Sequence, residues 1–136
     1  MAWGQKDTGR GAKINIQQAD KGYYSKNSGK NRLIGDVIFE HEGALMYCDS
    51  AWLFSTENRI KSFGHVRINQ GDTLELLGDY LEYNGFTRRA LVTGKEVILR
   101  DTGMTLTTDR LRHNRNTQRS YYTTGGVIIN DENRLE

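Results

Sequence analysis

From Lys13 onward the chain is written in short alternating runs of apolar and polar residues, each closed by a cluster of Gly, Asn or Asp. Gly64 to Thr93 shows the pattern in full. Gly-x-Val-x-Ile opens it, a turn follows at Asn69-Gln70-Gly71-Asp72, and an apolar run from Leu74 to Leu77 leads to Gly78-Asp79. A further run from Tyr80 to Tyr83 ends at Asn84-Gly85. Runs of this length between such clusters predict strands joined by hairpins, and no stretch sustains a helical period.

The same phrase recurs along the chain. Its opening glycine falls at Gly35, Gly64, Gly94 and Gly125, spaced 29, 30 and 31 residues apart. An aspartate that closes the second strand falls at Asp20, Asp49, Asp79 and Asp109, spaced 29, 30 and 30. Two ladders with one period mark an array whose single unit cannot bury its apolar face alone. Each unit begins Gly-x-Val-x-apolar, as in Val37/Phe39 and Val66/Ile68; Val97/Leu99 fits with one extra residue after Gly94. The apolar positions change parity at the aspartate: Met46 and Cys48 share one parity, Ala51 and Leu53 the other. A slip of one residue turns every side chain to the opposite face, and a bulge there restores the apolar face inward. Each long strand is therefore predicted to bend at Asp49, Asp79 or Asp109 and to cross from one sheet to a second. The expected architecture is all-β, two sheets face to face, built from units of about 30 residues. Residues 1–12, Gly- and Lys-rich without periodicity, read as a flexible lead-in, and 13–134 as one β domain.

Composition narrows this picture. The chain has 136 residues, 36% apolar and 26% charged, which suits one thin two-layer domain. It has no Pro and 15 Gly, so its turns rest on residues that tolerate positive φ. A net charge of +2 does not argue for nucleic acid, which calls for a clustered basic footprint. Cys48 is the one cysteine, so no internal disulfide forms. No run reaches the ~18 apolar residues of a membrane-spanning helix. The start of the chain lacks a signal peptide's apolar stretch. Met1-Ala2 and Leu135-Glu136 read as additions at the ends, with any export signal trimmed away.

Little in the chain reads as catalysis. The repeated Asp reads as a bend residue accepting backbone N–H groups, because carboxylates in equivalent surroundings do not split their pKa values for acid and base roles. His41, His65 and His113 lack metal-ligand spacing, and His113 is expected to face a wet part of the interior. Cys48 reads as a small buried filler. No enzyme activity, metal or cofactor is expected. Arg110 and Arg112 share one strand face; Arg115 and Arg119 follow in the next turn and strand, and Arg88 and Arg89 lie after an earlier hairpin turn. They read either as a solvated outer face or as a rim that pairs with phosphate or carboxylate head groups. Gly125 to Asn130, at one edge, reads as a strong strand that invites end-to-end stacking of copies.

The units GDVIFEHEGALMYCDSAWLF, GHVRINQGDTLELLGDYLEY and GKEVILRDTGMTLTTDRLRHN resemble the OstA/LptA family, and LTTDRL and YYTTGGVIIND are similar to its OstA-like branch. The resemblance runs over about residues 13 to 134. It implies a non-catalytic β jelly roll, open at both ends, in the periplasm of a diderm bacterium. It further implies that the apolar interior binds the lipid A part of lipopolysaccharide. Copies would stack end to end and meet related jelly-roll modules of the inner- and outer-membrane complexes. On that reading acyl chains lie against Val37, Phe39, Val66, Ile68, Leu81, Tyr83, Leu99, Leu106 and Leu111, with Arg110 and Arg112 at the head-group rim. Two other readings of the residues stand beside it. One is a scaffold with a closed core that assembles by edge pairing. The other is a carbohydrate binder, which requires aromatics such as Trp52, Tyr80 and Tyr121 on one outer face.

Overall fold

A computed structural model describes residues 12–122, 127–130 and 134–135. Of the predicted lead-in only Ala12 falls among them, and Gly125 also lies outside the described residues. The strands are β1 (Asn15–Gln18), β2 (Lys21–Tyr24), β3 (Lys30–His41), β4 (Ala44–Phe54), β5 (Arg59–Gln70) and β6 (Leu74–Asn84). They continue with β7 (Arg89–Asp101), β8 (Met104–Asn114), β9 (Arg119–Tyr122), β10 (Val127–Asn130) and β11 (Arg134–Leu135). Every pairing is antiparallel, and all belong to one unclosed sheet in the order β1-β3-β4-β5-β6-β7-β8-β10-β11. β2 follows β1 along the remaining half of β3, and β9 accompanies β10 along β8. β1 and β2 are thus one bent strand interrupted at its bend. The all-β jelly roll expected from the sequence is what the chain forms. Its two layers are the halves of one continuous hydrogen-bonded sheet rather than two separate sheets.

The fold line is a row of bulges. Between β3 and β4 the register shifts after Ile34↔Ser50 and resumes at Val37↔Cys48, so Gly35 and Asp36 together oppose Asp49. The same step occurs between β4 and β5 and between β5 and β6. Between β7 and β8 the residues 94–96 oppose Asp109 alone, which absorbs the extra residue of that unit. Burial follows the predicted change of parity. Met46 and Cys48 are buried before the bend of β4, and Ala51 and Leu53 after it. β5 keeps a single parity, with Ile60, Ser62, Val66 and Ile68 buried, because its bulge supplies the compensating residue.

The glycine and aspartate ladders meet at these bulges. Gly35 and Gly64 have φ of 86° and 82°, and Asp36 and His65 follow at 44° and 46°. A Cβ on Gly35 would collide with the carboxylate of Asp20, and one on Gly64 with that of Asp49. At Gly94 the Asp79 carboxylate takes the same place, with Oδ2 2.7 Å from where a Cβ would stand. That oxygen accepts the Lys95 backbone N–H at 3.1 Å, while Asp49 pairs with His65 Nδ1 at 2.7 Å. Asp20, Asp49 and Asp79 therefore each sit over the glycine of the next unit. The expected role of a bend residue accepting backbone N–H groups is met at Asp79; at Asp49 a side chain takes that part.

The halves of the strands end in two sets of turns. The upper halves run to turns at 42–43, 71–73 and 102–103, the lower halves to turns at 55–58, 85–88 and 115–118. In the lower set Asn84 Oδ1 accepts the N–H groups of Phe86 and Thr87, and Asn114 Oδ1 those of Asn116 and Thr117. Asn58, Arg88 and Gln118 close these turns with φ of 54° to 59°.

Substitution at the bulge separates steric from conformational cost. Gly43→Ala meets open space at a φ of 87° and should cost ~1 kcal/mol, the conformational term alone. Gly64→Ala must also displace Asp49 and should cost ~2–3 kcal/mol. Urea unfolding measures both, and Asp49→Ala should return part of the loss in the Gly64→Ala background. Equal costs at the two glycines would remove the carboxylate from the account.

Candidate functional site

The inner face of the folded sheet carries two apolar walls. In the upper half one rung runs Phe39–Met46–Ile68–Leu76–Leu99–Leu106 across six strands. In the lower half a rung runs Leu33–Ala51–Ser62–Leu81–Val92–Leu111. All nine interior positions named from the sequence belong to one core cluster, at 0 to 4% exposure. They are divided between the walls: Val37, Phe39, Val66, Ile68, Leu99 and Leu106 above the fold line, Leu81, Tyr83 and Leu111 below it. The interior is filled by these side chains. Leu33, Met46, Ile60, Leu76, Val92 and Val97 share it beside the nine; carrying each alternation through its parity change finds them. Cys48 is a buried filler whose thiol pKa is pushed up by burial. His113 is buried on the lower wall, with Nδ1 2.7 Å from Ser120 Oγ.

Where the free ends of the halves meet, polar side chains join the walls. Arg115, in a lower turn, reaches the upper wall. Its Nε donates to Gln70 Oε1 at 2.8 Å, Nη1 to the His41 carbonyl at 3.0 Å, and Nη2 to the Glu42 carbonyl at 3.0 Å. Nη1 also donates to Tyr83 Oη at 2.9 Å. The Tyr83 hydroxyl, accepting there, has its proton for His41 Nδ1 at 2.8 Å. His41 is therefore neutral with its proton on Nε2, which donates to the Ala12 carbonyl at 2.8 Å. Asn58, from a lower turn, donates to the same carbonyl at 2.9 Å, so residue 12 ties both walls. Arg88 holds the Glu42 carboxylate with two nitrogens, Nη2 at 2.8 Å from Oε2. Burial is the main cause holding His41 below its ordinary value of 6.5, and the Arg88 guanidinium holds Glu42 low. This seam was not legible in the sequence, because its partners lie up to 74 residues apart and no local spacing links them.

The arginines named as a rim separate into two groups. Arg88 and Arg115 are committed to the seam. Arg110 and Arg112 lie exposed on the outer face of the lower half, away from the seam, with opposite parity to Leu111. Among the described residues no group of three His, Cys, Asp or Glu side chains gathers to hold a metal.

Comparison with known proteins follows the fold. A sequence profile described as OstA-like protein matches residues 11–136. No curated protein sequence matches the chain. Among solved structures the chain is similar to LptH from Pseudomonas aeruginosa, titled the LptA-homologous periplasmic component of the lipopolysaccharide transport device. The TM-score is 0.72 at 17% identity over 85% of each chain, which shows the shared fold.

The seam makes stability depend on pH. Unfolded, His41 titrates near 6.5; folded, burial keeps it neutral to lower pH, as it does His113. As pH falls through 6.5 the unfolded chain gains protons that the folded chain refuses, so stability drops until the lowered folded value is reached. His65, raised by Asp49, acts oppositely: its contribution is present below 6.5 and is lost as pH rises through the raised value. That group is exposed and its effect small. The thermal midpoint should therefore fall between pH 7.5 and 5.5, and His41→Gln, which keeps a donor and an acceptor without titrating, should flatten the curve. A His41→Gln profile parallel to the parent would show that the seam does not sense this proton.

Proposed function

Because the chain belongs to the OstA-like protein family, we propose that it is a non-enzymatic periplasmic carrier of lipopolysaccharide, holding the lipid A acyl chains between its two walls. The observation that carries this reading is the pair of apolar rungs, broken only by the buried Ser62, that face each other behind a polar seam. Acyl chains gain ~0.8 kcal/mol per buried CH₂. Val37, Phe39, Val66, Ile68, Leu81, Tyr83, Leu99, Leu106 and Leu111 form the binding surface. Since the side chains fill the interior, uptake spreads the walls, with the fold line as hinge and the seam as the contact that yields. Hydrogen bonds suit that role, because water replaces them at small net cost. Directional movement comes from an outside energy source. Partners are other jelly-roll modules of the inner- and outer-membrane transport complexes, joined end to end at the sheet edges, as further copies of this chain would be. The similarity in fold to LptH, titled a periplasmic component of the lipopolysaccharide transport device, supports the carrier reading.

The second reading is a scaffold that assembles by edge pairing around a permanently closed core; the filled interior favours it. Light scattering against concentration, with and without lipid A, separates the two. Assembly without lipid uptake selects the scaffold.

A photoreactive side chain at Phe39 or Leu99 should capture lipid A saturably, and one at the outward-facing Tyr47 should not. Equal capture inside and outside, or none by folded protein, rejects the carrier. Arg115→Ala should lower stability yet speed lipid uptake about tenfold, the equivalent of ~1.4 kcal/mol off the opening step. Slower or unchanged uptake would mean that lipid enters elsewhere.

A further inference from the structure

The register of the strands gathers charge that the net value of +2 conceals. On the outer face of the lower half, Lys30, Arg59, Arg89 and Arg119 share one rung, one cation per repeat. The next rung runs Tyr23–Arg32–Trp52–Lys61–Glu82–Leu91–Arg112–Tyr121. A third carries Phe63, Tyr80 and Arg110. Glu82 is the one carboxylate on these rungs. The outer face of the upper half is balanced, with Arg100 bonded to Glu75 at 2.9 Å.

Within this face lies a half-open cleft of about 470 Å³, whose outward-facing lining includes Arg59, Glu82, Arg89, Leu91, Arg112 and Tyr121. That volume suits a small ligand. Arg89 and Arg112 occupy diagonal positions on neighbouring strands, ~7–8 Å apart, close enough to converge on one anion. Arg119 is the other diagonal neighbour of Arg112, and Arg110 lies two residues before it. Among the described residues no carboxylate ion-pairs with Arg89, Arg110, Arg112 or Arg119. Like charges placed so close repel, and a bound anion would relieve them. Arg59, by contrast, is already stacked on Phe54 at 4.3 Å and paired with Glu57.

The rest of the lining narrows the ligand. Glu82 accepts hydrogen bonds from hydroxyl groups and disfavours a simple polyanion. Tyr121, 57% exposed, offers a ring on which the C–H face of a pyranose stacks. Trp52 and Phe63 extend the same aromatic face at 36% and 38% exposure, beside Tyr80. A concave cleft with cations along it also fits a protruding group better than a flat bilayer. We infer that this outer cleft is a second binding site, for an anionic saccharide bearing a phosphate or carboxylate, with Arg89 and Arg112 on the anion and Tyr121 on the sugar ring. The site is independent of lipid uptake: protein that takes up no lipid A can still pass the test below.

Nuclear magnetic resonance titration of the labelled 136-residue chain with glucosamine 6-phosphate, glucosamine and inorganic phosphate tests this. The phosphorylated sugar should bind more tightly than either component and shift the amides around Leu91, Arg112 and Tyr121. Arg89→Glu/Arg112→Glu should weaken binding at least ~10-fold, the loss of two charged hydrogen-bonding partners. Lys95→Glu/Arg100→Glu, with the same charge change off the face, should leave it intact. Tyr121→Ala should weaken the sugar phosphate and not inorganic phosphate. Delipidated oligosaccharide from lipopolysaccharide and a glucuronate oligomer, run in parallel, distinguish the sugar of a glycolipid from a free glycan; binding of either supports the site. Phosphate binding as tightly as the sugar phosphate, equal loss in both charge-reversed pairs, or binding only to phosphatidylglycerol vesicles would overturn it.

Discussion

The fold depends on a carboxylate seated over a glycine. A sheet whose long strands run 11 to 13 residues would otherwise stay open, twisted but unfolded, and leave one apolar face in water. At each bend Asp20, Asp49 or Asp79 occupies the space a side chain would take on Gly35, Gly64 or Gly94. The bulge beside it changes the register without breaking the sheet. Repetition about every 30 residues aligns the bulges into one line, and the sheet folds along it. The change of parity on the aspartate strand then keeps both halves apolar on the inside. Bend, repeat and core thus follow from one local contact used several times.

A sheet folded on a single line has a second margin to close. Here the margin is polar: Arg115, Arg88 and Asn58 reach from lower turns to the upper wall or to residue 12. These contacts differ in kind from the core. Each core contact resists separation by exposing apolar surface, whereas each seam contact exchanges for water at small net cost. The wall that must hold and the margin that can yield are built from different physics. The neutral His41 places a titratable group where the two meet.

The outside of the roll is as ordered as the inside. The bend line exposes Asp20, Asp49, Asp79 and Asp109, while cations gather on the lower outer face. Opposite charges segregated into adjacent bands give the molecule a patterned field that its net charge hides. Trp52, Tyr80 and Tyr121 lie on one outer face, Trp52 beneath the Arg32 guanidinium at 5.2 Å and Tyr80 half-buried against Phe63.

The sequence by itself determined the strands, the period, the bend at Asp49 and its equivalents, and the inward side chains, Val37 to Leu111. Alternation, turn chemistry and the parity change are local, read within a dozen residues, and the period is their recurrence along the chain. The resemblance carried by its repeated phrases likewise led to the OstA-like family. Tertiary structure decided the rest. It showed that two ladders are one contact, that two sheets are one, and that Arg88 and Arg115 tie the margin while Arg89 and Arg112 stand on the outer face with no carboxylate partner among the described residues. Those outcomes depend on which residues face each other across strands and across the fold. Strand register and closure between the walls set that, and neither is written at any single position.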